Sequence, residues 1–262
     1  MARRVLLLGG TSEARALAEK LAGRTDLAVT LSLAGRTLNP APQPVPVRVG
    51  GFGGVEGLKA HLMAERVEAV IDATHPYAAQ MSIHAAEACR AASVPLLALR
   101  RPPWAQQAGD LWTIVPDVAA AVEELGTAPR RVFLALGRNE VRAFERAPWH
   151  SYLVRSVDPI DPPLAVPDVR YVLGRGPFSE ADDLALLRDH RIAVLVAKNS
   201  GGSATYGKMA AARALGLTSI LIARPPVPDV PAVANVADAV DWLDARFAAP
   251  PVHEATSAER GA

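Results

Sequence analysis

The chain repeats itself, and that restricts its fold more than any other feature. The segment Arg4-Val-Leu-Leu-Leu-Gly-Gly-Thr-Ser-Glu-Ala-Arg-Ala16 lies on Arg131-Val-Phe-Leu-Ala-Leu-Gly-Arg-Asn-Glu-Val-Arg-Ala143 without a gap, with Arg, Val, Leu, Gly, Glu, Arg and Ala matching in place. Each half then runs through a strand, a loop, an Ala-rich helix and a strand to Arg-Pro-Pro, at Arg101-Pro102-Pro103 and again at Arg224-Pro225-Pro226. The separations agree: Gly10 to Arg101 is 91 positions and Gly137 to Arg224 is 87. Two similarities in the same order at nearly the same separation mark a duplicated plan. Short apolar runs such as Val5-Leu6-Leu7-Leu8 alternate with Ala/Leu-rich stretches of helical spacing, as βαβ units on parallel sheets do.

The expected fold is therefore α/β, with two domains of similar plan facing one another. Residues 1–100 form the first and 101–248 the second, joined near Arg101 to Trp104, where prolines end a strand. In the first half the pattern predicts strands at 5–8, 28–33, 47–49, 69–72 and 95–99, with helices at 13–21, 55–65 and 78–92. In the second it predicts a strand at 192–197 and a helix opened by Ser179-x-x-Asp182. The stretch 158–167 is a loop by its prolines, and 249–262, without periodicity, is expected to be a flexible tail.

Charge narrows the range of partners. Lys+Arg 28 against Asp+Glu 27 leaves a net charge of +1, with no block of like charges to hold nucleic acid or a membrane surface. One cysteine, Cys89, excludes an internal disulfide and a cysteine metal cluster, and the histidines are too scattered for a metal site. No apolar run approaches the roughly 20 residues that span a bilayer. Four apolar residues after Arg3-Arg4 are too few for a signal peptide, so a cytoplasmic protein is expected.

Ligands of a parallel α/β sheet sit beyond the carboxyl ends of its strands. Gly9-Gly10-Thr11-Ser12 stands there after the first strand, where glycines let the backbone approach an anion and helix N–H groups point at it. Glu13-Ala14 takes the third small position of the dinucleotide fingerprint, so a plain tight turn remains open. After the second strand, Ser32, Gly35 and Arg36 offer hydroxyl and guanidinium but no carboxylate, which favours a ribose 2′-phosphate, NADP over NAD. A solvated loop arginine is the alternative. Gly50-Gly51-Phe52-Gly53-Gly54 would let a flat ring or pyrophosphate reach the backbone, or is simply a flexible loop. Asp72-Ala-Thr74-His75-Pro-Tyr77 ends the fourth strand, where His75 and Tyr77 could donate to a ligand or merely cap the helix that follows. In the second half, Lys198-Asn199-Ser200-Gly201-Gly202, with Lys208, Arg138 and Arg175, reads as an anion cradle or as ordinary surface charge. No nucleophile is paired with a base, so a cofactor must supply the chemistry, and hydride transfer fits.

Gly9-Gly-Thr-Ser-Glu-Ala-Arg15, Ala34-Gly-Arg-Thr37, Gly50-Gly-Phe-Gly-Gly54, Asp72-Ala-Thr-His-Pro-Tyr-Ala78, Lys198-Asn-Ser-Gly-Gly202 and Arg224-Pro225 together resemble the precorrin-6A and cobalt-precorrin-6A reductases of vitamin B12 biosynthesis. The resemblance runs from about Arg4 to Leu243. It implies two Rossmann-like domains with the active site in the cleft between them, and NADPH-dependent reduction of C18=C19 of a tetrapyrrole polycarboxylate. It places Gly9, Gly10, Thr11 and Glu13 near phosphates and ribose, Arg36 near the 2′-phosphate, and Gly51, Phe52 and Gly53 with Thr74 and His75 near the nicotinamide. Residues 198–202 would face the macrocycle. His75, Tyr77, Lys198 and solvent are the candidate proton donors, and a monomer is expected. The rival readings are a two-domain sugar-nucleotide transferase and a non-enzymatic sensor that closes over a small anion.

Overall fold

The computed structural model describes residues 2–35 and 41–248. Arg36, expected at the 2′-phosphate, and 249–262, expected as a tail, lie outside the described residues. The first half holds β1 (Arg3–Leu8), α1 (Ser12–Leu21), β2 (Leu27–Leu33), β3 (Val47–Val49), α2 (Gly54–Ala64), β4 (Ala69–Asp72), α3 (Ala79–Ala92) and β5 (Leu96–Leu99). There follow β6 (Leu111–Val115), α4 (Val118–Glu124), β7 (Arg131–Ala135), a 3-10 helix (Val141–Arg146), β8 (Ser151–Ser156) and β9 (Val169–Leu173). The chain then forms α5 (Glu180–Asp189), β10 (Val194–Lys198), α6 (Gly207–Ala214), β11 (Thr218–Ile222), β12 (Ala232–Val233) and α7 (Val236–Phe247). Two six-stranded sheets result, ordered β12-β5-β4-β1-β2-β3 and β6-β11-β10-β7-β8-β9, with neighbours parallel throughout. The expected α/β fold with two parallel sheets of one plan is thus what the chain forms.

The apolar run of β1 follows from burial on both faces. Leu7 joins the core under α1 and α7, while Leu6 and Leu8 join the one under α2 and α3. Phe133 and its neighbours Val132 and Leu134 divide in the same way between the two faces of the second sheet. α1 begins where Thr11 accepts a hydrogen bond from the Ala14 N–H, and it buries Ala14, Leu17, Ala18 and Leu21, one helical stripe. Each of those leucines contributes about 1.5–3 kcal/mol by burial.

Two differences from the sequence reading matter. The second copy of the repeat turns after β7 into a single 3-10 segment instead of a long helix, because Pro148 disfavours helical backbone at Ala147. The other difference lies at the end of the second half, because the strand after each Arg-Pro-Pro joins the sheet on the far side of its crossing. β6, within 101–248 as expected, pairs with β11, whereas β12, after the second Arg-Pro-Pro, returns to pair with β5. α7 follows it and packs Ala239 and Leu243 into the first core, so residues 232–247 belong with the first sheet. A two-residue strand after a proline-rich crossing carries no pattern that assigns it to a sheet.

Candidate active site

The carboxyl ends of the two sheets meet. The Tyr77 hydroxyl, beyond β4, donates to the Ile222 carbonyl at the end of β11. The Lys198 ammonium at the tip of β10 stands 4.8 Å from the Tyr77 ring centroid. Arg101, on the first crossing, pairs with Glu13 in the turn after β1.

On the first side, Gly9 has no room for a side chain, since a Cβ would fall 2.5 Å from Leu31 Cδ1. Its N–H donates to the Ser32 carbonyl, and Gly10 turns with φ +124°. The Thr11 hydroxyl donates to the Ala73 carbonyl at 2.8 Å, tying this turn to β4. The N–H groups of Ser12 and Glu13 find no acceptor among the described residues. Open glycine backbone with free helix N–H groups fits a pyrophosphate. Gly35 ends β2 in the left-handed region at φ +72°. In the glycine-rich loop, Arg48 donates to the carbonyls of Gly50 and Gly51 at 2.6 and 2.8 Å and lies 3.8 Å over the Phe52 ring. Arg48 therefore shapes the loop carrying Gly51, Phe52 and Gly53, a role no motif announced.

The segment after β4 is held by Asp72, a buried carboxylate that accepts from the Thr74 N–H and hydroxyl and from Ser82. Tyr77 N–H donates to His75 Nδ1 at 3.3 Å, so the ring is neutral with its proton on Nε2. Burial first, then the charges of Lys198, Arg101, Arg224 and Lys208, hold His75 down at about 3. Burial pushes the Tyr77 phenol up to about 12. Neither group releases a proton readily at neutral pH. As the pH falls, the unfolded chain protonates His75 near 6.5 and the folded chain only near 3. The native state therefore loses up to about 1.4 kcal/mol per pH unit across that window. His75→Gln is expected to flatten this acid limb in urea unfolding from neutral pH down to about pH 4. An unchanged limb means that His75 is not the group responsible.

On the second side, Lys198 Nζ pairs with Glu140 Oε1 at 2.5 Å, and Glu140 Oε2 also accepts the Gly137 N–H at 2.9 Å. Asn199 is committed to structure: its amide exchanges hydrogen bonds with the Trp104 backbone at 2.7 and 3.1 Å. The Ser200 carbonyl accepts from Arg101 Nε and Arg224 Nη2. At Gly201 a Cβ would fall 2.0 Å from the Pro102 carbonyl oxygen, and at Gly202 2.8 Å from Arg101 Cδ. This loop thus grips the first crossing rather than lying open. Lys208, expected in an exposed anion cradle, is buried, donates to the Thr205 carbonyl and sits 4.7 Å from the Trp104 ring centroid. Arg138 and Arg175 are exposed beyond β7 and β9. Cys89 is buried in α3, its thiol pushed up to about 12 by burial. A recess of about 560 Å³, walled by Pro102, Trp104, Phe178, Gly202, Ser203 and Tyr206, adjoins the gripped crossing.

Sequence reasoning brought out His75, Tyr77, Lys198 and the Gly9 to Glu13 turn, and the fold brings them together. It missed Arg101, Arg224, Glu140 and Arg48 as site residues. For the first two the signal was present, since both open the duplicated Arg-Pro-Pro. Among the described residues no His, Cys, Asp and Glu group could hold a metal ion, and no helix is long and apolar enough to cross a membrane.

The family model for precorrin-6x reductase CbiJ/CobK matches residues 4–244. A precorrin-6A reductase of Sinorhizobium sp is 53% identical over 92% of this chain and 94% of its own length. That of Rhodobacter capsulatus is 52% identical over 94% and 98%. A solved structure, CobK precorrin-6A reductase, superposes with a TM-score of 0.91 at 51% identity, covering 95% of this chain and 99% of that one. With the paired sheets and the match along nearly their whole length, the chain belongs to the precorrin-6x reductase family of oxidoreductases in cobalamin biosynthesis.

Proposed function

We propose that the protein reduces C18=C19 of precorrin-6A with NADPH, at the junction where the two sets of strand tips meet. The observation that carries this is that the open, anion-ready turn after β1 meets the loop after β10, where a Cβ at Gly202 would stand 3.2 Å from Glu13 Oε1, while Lys198 at the tip of β10 stands 4.8 Å from the Tyr77 ring centroid. Bound there, the nicotinamide supplies a hydride to one ring carbon and leaves oxidised, while the neighbouring carbon gains a proton. Gly9, Gly10, Thr11, Ser12 and Glu13 hold the pyrophosphate and adjoining ribose. Ser32, Gly35 and Arg36 hold the 2′-phosphate side, and 51–53 with Thr74 and His75 hold the nicotinamide end. Neutral His75 donates one Nε2–H and does not compete for the proton. Tyr77 braces the junction. Lys198, paired with Glu140 and facing the Tyr77 ring, delivers the proton, with Glu140 orienting it.

Arg138 and Arg175 meet peripheral carboxylates, and the aromatic recess beside Trp104 takes one flank of the macrocycle. Residues 1–100 provide the cofactor side and 101–248, without the returned 232–247, the substrate side. Bracing through two crossings supports a single chain working as a cytoplasmic monomer. Holding both reactants in register contributes the largest share, about 7–11 kcal/mol of barrier in favourable cases.

Titrating NADPH into the protein while following nicotinamide fluorescence, then adding precorrin-6A, tests the reading. Binding followed by oxidation of the cofactor is expected. Binding of a sugar nucleotide in its place, or closure over an anion without turnover, overturns it. Arg36→Ala is expected to raise the KM for NADPH by about tenfold or more, the scale of a lost charged hydrogen bond, and to leave that for NADH little changed. Equal effects on both rule out the 2′-phosphate assignment.

A further inference from the structure

Arg101 occupies a position no motif explains. It lies on the first crossing between the sheets, and its one guanidinium reaches both. Nη1 pairs with Glu13 in the turn after β1, whose carboxylate also accepts from the Ser12 hydroxyl at 3.0 Å. Nε donates at 2.8 Å to the Ser200 carbonyl in the loop after β10. Arg224 on the second crossing completes the knot, donating to the carbonyls of Arg101, Asn199 and Ser200 at 2.8, 3.0 and 2.9 Å. Glycine at 202 leaves the space: a Cβ there would stand 2.8 Å from Arg101 Cδ and 3.2 Å from Glu13 Oε1. The group is mostly buried, with the side chains of Arg101 and Glu13 only 13% and 21% exposed. Exposed ion pairs do little, but a partly buried one with a fixed geometry holds both partners in place.

We propose that Arg101 is a positioning residue that couples the two halves of the site, so that filling the turn at 9–13 and ordering the loop at 198–202 favour each other. This rests on the function proposed above. An anion at the first turn faces the Glu13 carboxylate and depends on Arg101 to neutralise it. A macrocycle at the second loop depends on the same guanidinium to hold Ser200. Because one guanidinium ties Glu13 to Ser200, a ligand that orders either loop orders the other through it, and the second ligand then loses less freedom on binding. By linkage the effect is reciprocal.

Oxidised NADP with precorrin-6A forms a ternary complex that cannot turn over forward, so equilibrium binding can be measured. Calorimetric titration of NADP into the unmodified protein, without and with saturating precorrin-6A, is expected to show affinity rising at least about fivefold, the usual lower bound of allosteric coupling. In Arg101→Gln and in Glu13→Gln the ratio is expected to fall below about twofold, and the double variant to match the singles, because one interaction is removed each way. A lost ion pair that merely supported the fold would weaken both affinities and leave their ratio intact. An unchanged ratio in either single variant, or a ratio of one in the unmodified protein, overturns the coupling while the proposed function stands. Should Arg101→Gln fail to fold, Glu13→Gln decides alone. Failure of the unmodified protein to bind NADP at all overturns the function and the coupling with it.

Discussion

Lys198→Met is expected to lower kcat for precorrin-6A reduction by about 10²–10⁴, the contribution of a positioned proton donor, with the Kd for NADPH little changed. The neighbouring groups set this outcome. The Tyr77 phenol, pushed up to about 12, is tied to the Ile222 carbonyl, and His75 is held neutral. Lys198 is held in place by Glu140 at 2.5 Å and has no such tie to a backbone carbonyl across the junction. Glu140→Gln then loosens the ammonium's orientation and lowers kcat less than Lys198→Met does. Stopped-flow measurement of NADPH oxidation in single turnover reads the chemical step directly. A Lys198→Met enzyme with unaltered single-turnover rate would remove Lys198 from the proton path and point to solvent.

Asp183→Asn is expected to destabilise the fold by about 3–5 kcal/mol, the penalty for leaving a buried charge without its partner. Arg155 rises from β8 into the second core, where Asp183 Oδ1 pairs with its Nη1 and both are almost wholly buried. The guanidinium lies 3.8 Å from the Phe178 ring centroid and 5.1 Å from that of Phe133, with its side chain only 7% exposed. Asp183 also favours the ammonium of buried Lys208, which burial, then the charges of Arg155 and Arg101, hold down to about 7 even with that carboxylate present. One substitution therefore strands the Arg155 guanidinium and drives Lys208 further toward the neutral amine. Thermal unfolding followed by circular dichroism should show a midpoint lower by on the order of 10 °C for a chain of this size. A shift of only a degree or two would mean that water reaches Arg155. The Trp104 recess borders this cluster through Phe178.

Much of the architecture was legible in the linear order. Val5-Leu6-Leu7-Leu8 is apolar at successive positions because both its faces are covered, and such a run has few other uses. Gly9 and Gly10 mark the turn because a side chain has no space at the first and the wrong backbone angle at the second. Ser179 caps α5 at the expected residue, where its hydroxyl accepts the Asp182 N–H at 3.0 Å. Where the reading fell short, the missing information was nonlocal. Arg101 and Arg224 were visible as a duplicated punctuation mark, yet nothing in a short window says that Arg101 reaches 88 residues back to Glu13. Lys208 follows two glycines and a hydroxyl-rich loop, which suggested an anion site, and only the packing of Trp104 and Asp183 around it shows that it is enclosed.

Local pattern alone thus settled that the chain makes two parallel sheets of one plan and which strand tips carry polar loops, because backbone hydrogen bonding and apolar periodicity act over a few residues. Three-dimensional packing settled which sheet receives β6 and β12, and which of the basic and hydroxyl side chains remain available to a ligand. Ala232-Val233 is too short to carry a preference of its own. Its place depends on the free edge of β5 and the apolar face of α7 against α1, contacts that exist only once the rest of the chain has closed around them.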